Sequence, residues 1–200
     1  MNVTNEERRY RIAVWIVIAS EALLFSGLFT LYASYRHEYA SAFDAGVREG
    51  VHWIGGINTL ILLTSSFAIA WSIHLIRSDR GRGAIWSLAA VLGLGLAFLV
   101  LKGIEWTKHI HDGIVPGIAY AGPDHGPGTS LYFTLYYGMT GLHALHVIAG
   151  LGLVTWVFTR AYRRRYAPER HLSLELVALY WHFVDAIWVF LWPMFYLMHG

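Results

Sequence analysis

The stretch that decides the fold is ELVALYWHFVDAIWVFLWPMFYLM, Glu175 to Met198. It is apolar almost throughout. A helix needs about 20 such residues to cross a bilayer, and this run is long enough. Yet Glu175, His182 and Asp185 lie inside it. An ionisable side chain at the centre of a hydrocarbon layer costs about 2.5 to 3.5 kcal/mol on insertion scales, so such groups persist where they meet a partner or a wet cavity. The other spans of the chain must therefore supply the partners.

The 200 residues are 56% apolar and 14% charged, against about 25% charged in soluble domains. The deficit points to a polytopic membrane protein, a single membrane domain over residues 1–200 with no separate soluble unit. There is no cysteine, which excludes disulfides, thiolate metal sites and thiol chemistry. The first eleven residues are polar and charged and the first apolar run is too long for an h-region, so no cleavable signal peptide is expected. The net charge of +2 is small, and nucleic acid is not an expected partner.

Five runs qualify as spanning helices, near 11–35, 53–76, 84–106, 130–158 and 174–198. The expected fold is all-α, a bundle of five transmembrane helices. Strands are not expected, because the runs far exceed the ~10 residues of a barrel strand and lack its alternation. Between the spans lie a polar segment (Arg36 to His52), a tight basic turn (Arg77 to Gly83), a Gly/Pro-rich loop (Thr107 to Thr129) and a basic loop (Thr159 to Ser173). One end of the bundle carries Arg8, Arg9, Arg11, Arg77, Arg80, Arg82, Arg160, Arg163, Arg164, Arg165 and Arg170, eleven in all; the other carries Arg36, Arg48, Lys102 and Lys108, four. The positive-inside rule then sets the N-terminus in the cytoplasm and the C-terminus outside.

Trp53, Trp106, Trp156, Trp192 and Tyr196 fall near span ends, as interfacial aromatics do. Ala89, Gly93 and Ala97 form a small-residue row on the third span, the pattern of a close helix contact. Arg163, Arg164 and Arg165 follow the fourth span and are candidates to touch lipid headgroups.

At 1.5 Å per residue, Glu21, His143, His146, His182 and Asp185 all lie about 12 to 23 Å from the arginine-rich edge. Ser65 and Ser66 share that level. Three spans thus place ionisable groups in one slab. Glu105 and Lys102 form a pair nearer the opposite face, and Glu175 sits at the arginine-rich face. Three readings fit the slab: a hydrogen-bonded network that holds helices together, a metal or haem site built from His143, His146, His182 and Asp185, or a proton-handling site. His143 and His146 are i, i+3, a spacing that puts them on one helical face, and His182 and Asp185 repeat it. Helix-bundle dimetal sites use a repeated Glu-x-x-His pair, which is missing here. A small transporter is a weaker reading, because no broken helix pair or inverted repeat is visible. In the Gly/Pro-rich loop, His109, His111, Asp112, Asp124 and His125 read as a surface loop punctuated by turns.

The same residues carry a family likeness. IASEALLFSGLF (18–29), GINTLILLTSS (56–66), KGIEW (102–106), TGLHALHVIAGL (140–151) and ELVALYWHFVDAIWVFLW (175–192) together resemble subunit III of the haem-copper terminal oxidases, the cytochrome c oxidase subunit III family. The resemblance covers all five spans in order. It matches Glu21 to the family's buried glutamate, and Asn58, Thr59, Ser65 and Ser66 to its polar second motif. It also matches Glu105 with Trp106, His143 with His146 and Gly150, and Glu175, Trp181, His182, Asp185 and Trp188. It implies a chain that itself binds no haem, copper or other metal, these being expected in partner subunits. It implies packing against oxidase subunit I, with subunit II in the same assembly, contact with membrane lipids including a bound phospholipid, and support of sustained proton uptake. The expected location is a bacterial plasma membrane. Longer members have seven helices, of which this chain resembles the last five, so a lipid cleft formed by the first two would be absent or built by another chain.

Overall fold

The structure is a computed structural model that describes residues 5–115, 120–122, 128–168 and 170–198. Asp124 and His125 of the Gly/Pro-rich loop lie outside the described residues. Among the described residues six helices follow one another: α1 (Asn5–Glu38), α2 (Ala40–Glu49), α3 (His52–Arg77), α4 (Gly81–His111), α5 (Thr129–Tyr162) and α6 (Leu172–Tyr196). All but α2 are long and apolar enough to cross a membrane, so the five-span, all-α expectation holds. Among the described residues the sole β feature is an isolated bridge between Ala167 and Arg170.

α3 and α4 form a hairpin, α4 packs on α5, α5 on α6, and α6 returns to α3. These four close a bundle whose centre holds Trp181, Trp188, Phe98, Leu62 and Ile69, all at most 1% exposed. α1 lies outside this ring. Of its 34 residues only Ile18, Phe25 and Tyr32 are buried. They recur every seventh residue, so α1 docks along a stripe one side chain wide. A core-facing helix usually buries three or four residues per two turns.

Two departures from the sequence reading concern helix extent. The polar segment 36–52 contains α2, which turns Ala42, Phe43, Gly46 and Val47 inward. That i, i+1, i+4, i+5 stripe is an amphipathic signal masked by the charged residues around it. Phe43 packs edge-on against Tyr32 and Tyr132, at 5.3 Å in each case. In addition, α4 runs to His111 instead of ending near 106, which turns His109 from a loop residue into a buried one, 2% exposed.

The close helix contact also lies on a different face from the one expected. A Cβ on Gly93 would meet nothing within 4 Å, whereas one on Gly95 would sit 2.7 Å from Leu151 and 3.0 Å from Trp181. The buried positions of α4 include Leu88, Val91, Gly95 and Phe98, and the row through Gly93 belongs to the opposite side. Gly150 on α5 does the same for Trp181, whose ring lies 2.9 Å from where its Cβ would be. Two missing side chains therefore make room for one indole between α4, α5 and α6.

Both arginine-rich turns end helices in one way. At the end of α3 the Arg80 amide donates to the Leu75 carbonyl at 2.8 Å; at the end of α5 the Arg165 amide donates to that of Arg160 at 3.0 Å. Such six-to-one closures place one residue in the left-handed region, usually glycine. Here the residues are Asp79 (φ 54°) and Arg164 (φ 50°), at a cost of about 1 to 2 kcal/mol for a residue with a Cβ.

Candidate functional site

The polar slab resolves into separate contacts, each joining two helices. Glu21 on α1 meets His146 on α5, with Oε2 and Nε2 3.1 Å apart. The other ring nitrogen, Nδ1, lies 2.8 Å from the Leu142 carbonyl. A carbonyl can only accept, so Nδ1 carries a proton and donates it. Nε2 and the Glu21 carboxyl then share one proton between them, as acid and imidazole or as carboxylate and imidazolium. On the other side of the bundle, the Ser66 hydroxyl lies 2.6 Å from His182 Nδ1, joining α3 to α6. Ser66 also neighbours Asp185, which is 4% exposed and whose carboxyl oxygens have no hydrogen-bond partner among the described residues. Ser65 accepts from Trp181 Nε1 at 3.0 Å, and Thr59 accepts from Trp188 Nε1 at 3.1 Å.

His143 stands apart from all of these. It is fully buried, packed against Trp188 at 5.2 Å and Phe98 at 5.6 Å, and its ring nitrogens have no partner among the described residues. Residues three apart on a helix differ by about 60° in direction. α5 sits at a corner of the bundle, so His143 points into the core and His146 into the groove under α1. The four side chains of the metal or haem reading therefore do not converge, and among the described residues no group of three or more His, Asp or Glu could hold an ion.

The pair Lys102 and Glu105 belongs to a larger assembly than the sequence suggested. Both are buried and 3.1 Å apart. The Lys102 ammonium also donates to the hydroxyls of Tyr136, at 2.8 Å, and Tyr196, at 2.7 Å. Each phenol in turn donates to Glu105 Oε1, at 2.8 and 2.6 Å. Three ammonium hydrogens and two phenol hydrogens are all used, and the unit is neutral. Such closure is what lets a buried ion pair persist, because any unpaired charge would bear the full desolvation cost. Tyr196, which the sequence placed among the interfacial aromatics, is 1% exposed and serves this site instead. A lysine and glutamate at i, i+3 in an apolar span need further partners; tyrosines at the same level on neighbouring spans were the available signal.

At the arginine-rich end, Glu175 is a hub. Arg11 of α1 reaches it at 2.9 Å and Arg77 of α3 at 2.6 Å. His171, just before α6, lies 3.0 Å from it. A cleft of about 1360 Å³ opens beside this hub between α1, α5 and α6, with Val14, Val17 and Leu153 on its walls and Arg160, Arg165 and Arg170 among its lining. Of the three arginines singled out in sequence, Arg165 borders this cleft, Arg164 borders another, and Arg163 is exposed.

Fold and site together define a five-span membrane protein whose ionisable groups tie helices to one another. The sequence model of cytochrome c oxidase subunit III matches residues 3–199. The chain is similar to proteins named cytochrome c oxidase subunit 3 from Marchantia polymorpha (32% identical, covering 96% of this chain and 69% of the relative), Thermostichus vulcanus (31%, 94% and 86%) and Homo sapiens (28%, 95% and 70%). The chain belongs to the cytochrome c oxidase subunit III family, and is therefore a non-catalytic, multi-pass membrane subunit of a haem-copper respiratory oxidase.

Proposed function

We propose that this chain braces the oxidase by docking on subunit I, with subunit II in the same assembly, and that it favours proton supply during sustained turnover. Haem and copper belong to the partner subunits in this reading. One observation carries it. α1 buries three side chains of 34, so most of its apolar surface is left for lipid or another subunit, and it is pinned at mid-length by the proton-sharing pair Glu21 and His146.

The reading includes an N-terminus in the cytoplasm, supported by the eleven-to-four arginine and lysine bias, and a bacterial plasma membrane as the location. Arg160, Arg165 and Arg170 around an apolar cleft suit the headgroup of a bound phospholipid. The haem- or metal-binding alternative has no converging ligand set to recommend it.

The test is purification in mild detergent followed by turnover. Subunits I and II should come down with this chain, and oxygen reduction should persist over many cycles. Glu21→Ala should assemble but lose activity sooner. Recovery of the chain alone, or a Glu21→Ala complex with an unchanged lifetime, would remove the corresponding half of the proposal.

A further inference from the structure

A second cavity, about 950 Å³, lies at the arginine-rich end between the α3–α4 turn and the end of α5. Arg80 comes from the turn, Arg82 from the first turn of α4 and Arg164 from the segment after α5; among the described residues of its wall, Asp79 is the one carboxylate. No hydrogen bond or ion pair links these three guanidinium groups to any described residue. Among the described lining residues three cations stand against one anion, an excess charge of two. Ile76, Ile85, Ala161 and Tyr162 are also among the lining, giving an apolar flank beside the cationic one.

Arg164 is the informative member. It occupies the left-handed position, φ 50°, of a helix-ending motif, a place where glycine fits without strain. Topology alone does not call for it. A positive-inside signal needs charge on this loop, not at one backbone position, and Arg163 next door supplies such a charge while lining neither cavity. Guanidinium is the group best matched to a phosphate, through paired N–H donors. The amino-terminal turn of α4 faces the same space through Gly81 and Gly83 and carries no acidic residue, so it does not compete for the cations.

We propose that Arg80, Arg82 and Arg164 form a binding site for a phosphate-bearing anion, distinct from the cleft beside Glu175. The phosphate can be part of an anionic lipid headgroup entering past Tyr162 and Ile85, or of a soluble phosphate from the adjoining aqueous phase. Both present the same oxygens to the same three side chains.

The test uses the assembled oxidase in phosphatidylcholine nanodiscs. One arm replaces phosphatidylcholine stepwise with phosphatidylglycerol; the other adds pyrophosphate to discs of phosphatidylcholine alone. Binding is read locally, as hydrogen-exchange protection of residues 79–83 and 162–166. Saturable protection by phosphatidylglycerol alone identifies a lipid site, and protection by pyrophosphate identifies a site for soluble phosphate. In either case Arg164→Gly, which suits the backbone, and Arg82→Gln should weaken binding about tenfold or more, the loss of one charge-assisted hydrogen bond. Arg163→Gly should match wild type. Absence of saturable protection by either anion, or an Arg164→Gly complex that binds like Arg163→Gly, overturns the proposal.

Discussion

His146 donates from Nδ1 to its own helix, at the Leu142 carbonyl, and so presents Nε2 alone to Glu21, 3.1 Å away. This geometry separates two roles for the pair. Glu21→Gln keeps a donor for Nε2 but abolishes the exchangeable proton; Glu21→Ala leaves Nε2 without a partner, at about 1 to 3 kcal/mol. If the pair braces α1, only the alanine variant lowers the thermal midpoint of the complex and shortens its working life. If the shared proton matters for proton supply, the glutamine variant shortens it too. Neither variant changing stability or lifetime would deny the pair both roles.

The Lys102 site should behave as a closed unit. Lys102→Met leaves the Glu105 carboxylate without its counter-charge, held by the two phenol hydrogen bonds alone, and is expected to cost about 3 to 5 kcal/mol. Adding Glu105→Gln should recover most of that, because no charge is then left unpaired. Retention of the subunit through a detergent titration reads both effects. A double variant as unstable as the single one would mean that steric packing, not charge closure, governs this site.

Gly150→Ala places a methyl 2.9 Å from the Trp181 ring. Overpacking of this kind costs about 1 to 3 kcal/mol. Gly93→Ala, in open space, should be neutral or more stable by up to about 1 kcal/mol through helix propensity. Thermal midpoints of the two variants should therefore move in opposite directions or differ clearly. Equal shifts would refute the assignment of the contact face.

Glu175 ties α1 to the bundle at a point where nothing earlier in α1 is buried, the first buried residue being Ile18. Arg11 and Arg77 are about half exposed, so each pair contributes no more than about 1 kcal/mol. Glu175→Gln should leave global stability nearly unchanged yet speed amide exchange over residues 5–14. Raised salt should do the same to wild type by screening. Exchange that ignores both treatments would show α1 to be held by other contacts.

The sequence alone determined the class of fold, because five long apolar runs admit no other solution in a bilayer: every backbone group must be paired within its own helix. It also placed Glu21, His146, Ser66, His182 and Asp185 at one depth, since rise per residue is fixed. What it left open was direction around each helix. His143 and His146 share a level but diverge into core and groove, and Gly95 packs where Gly93 does not, because rotation about the helix axis is set by neighbouring helices. The same holds for Lys102 and Glu105, legible as a pair, whose tyrosine partners come from α5 and α6. Burial of charge was readable along the chain, whereas the identity of the groups that neutralise it was decided by tertiary packing, which joins residues 31 and 91 positions away from Glu105.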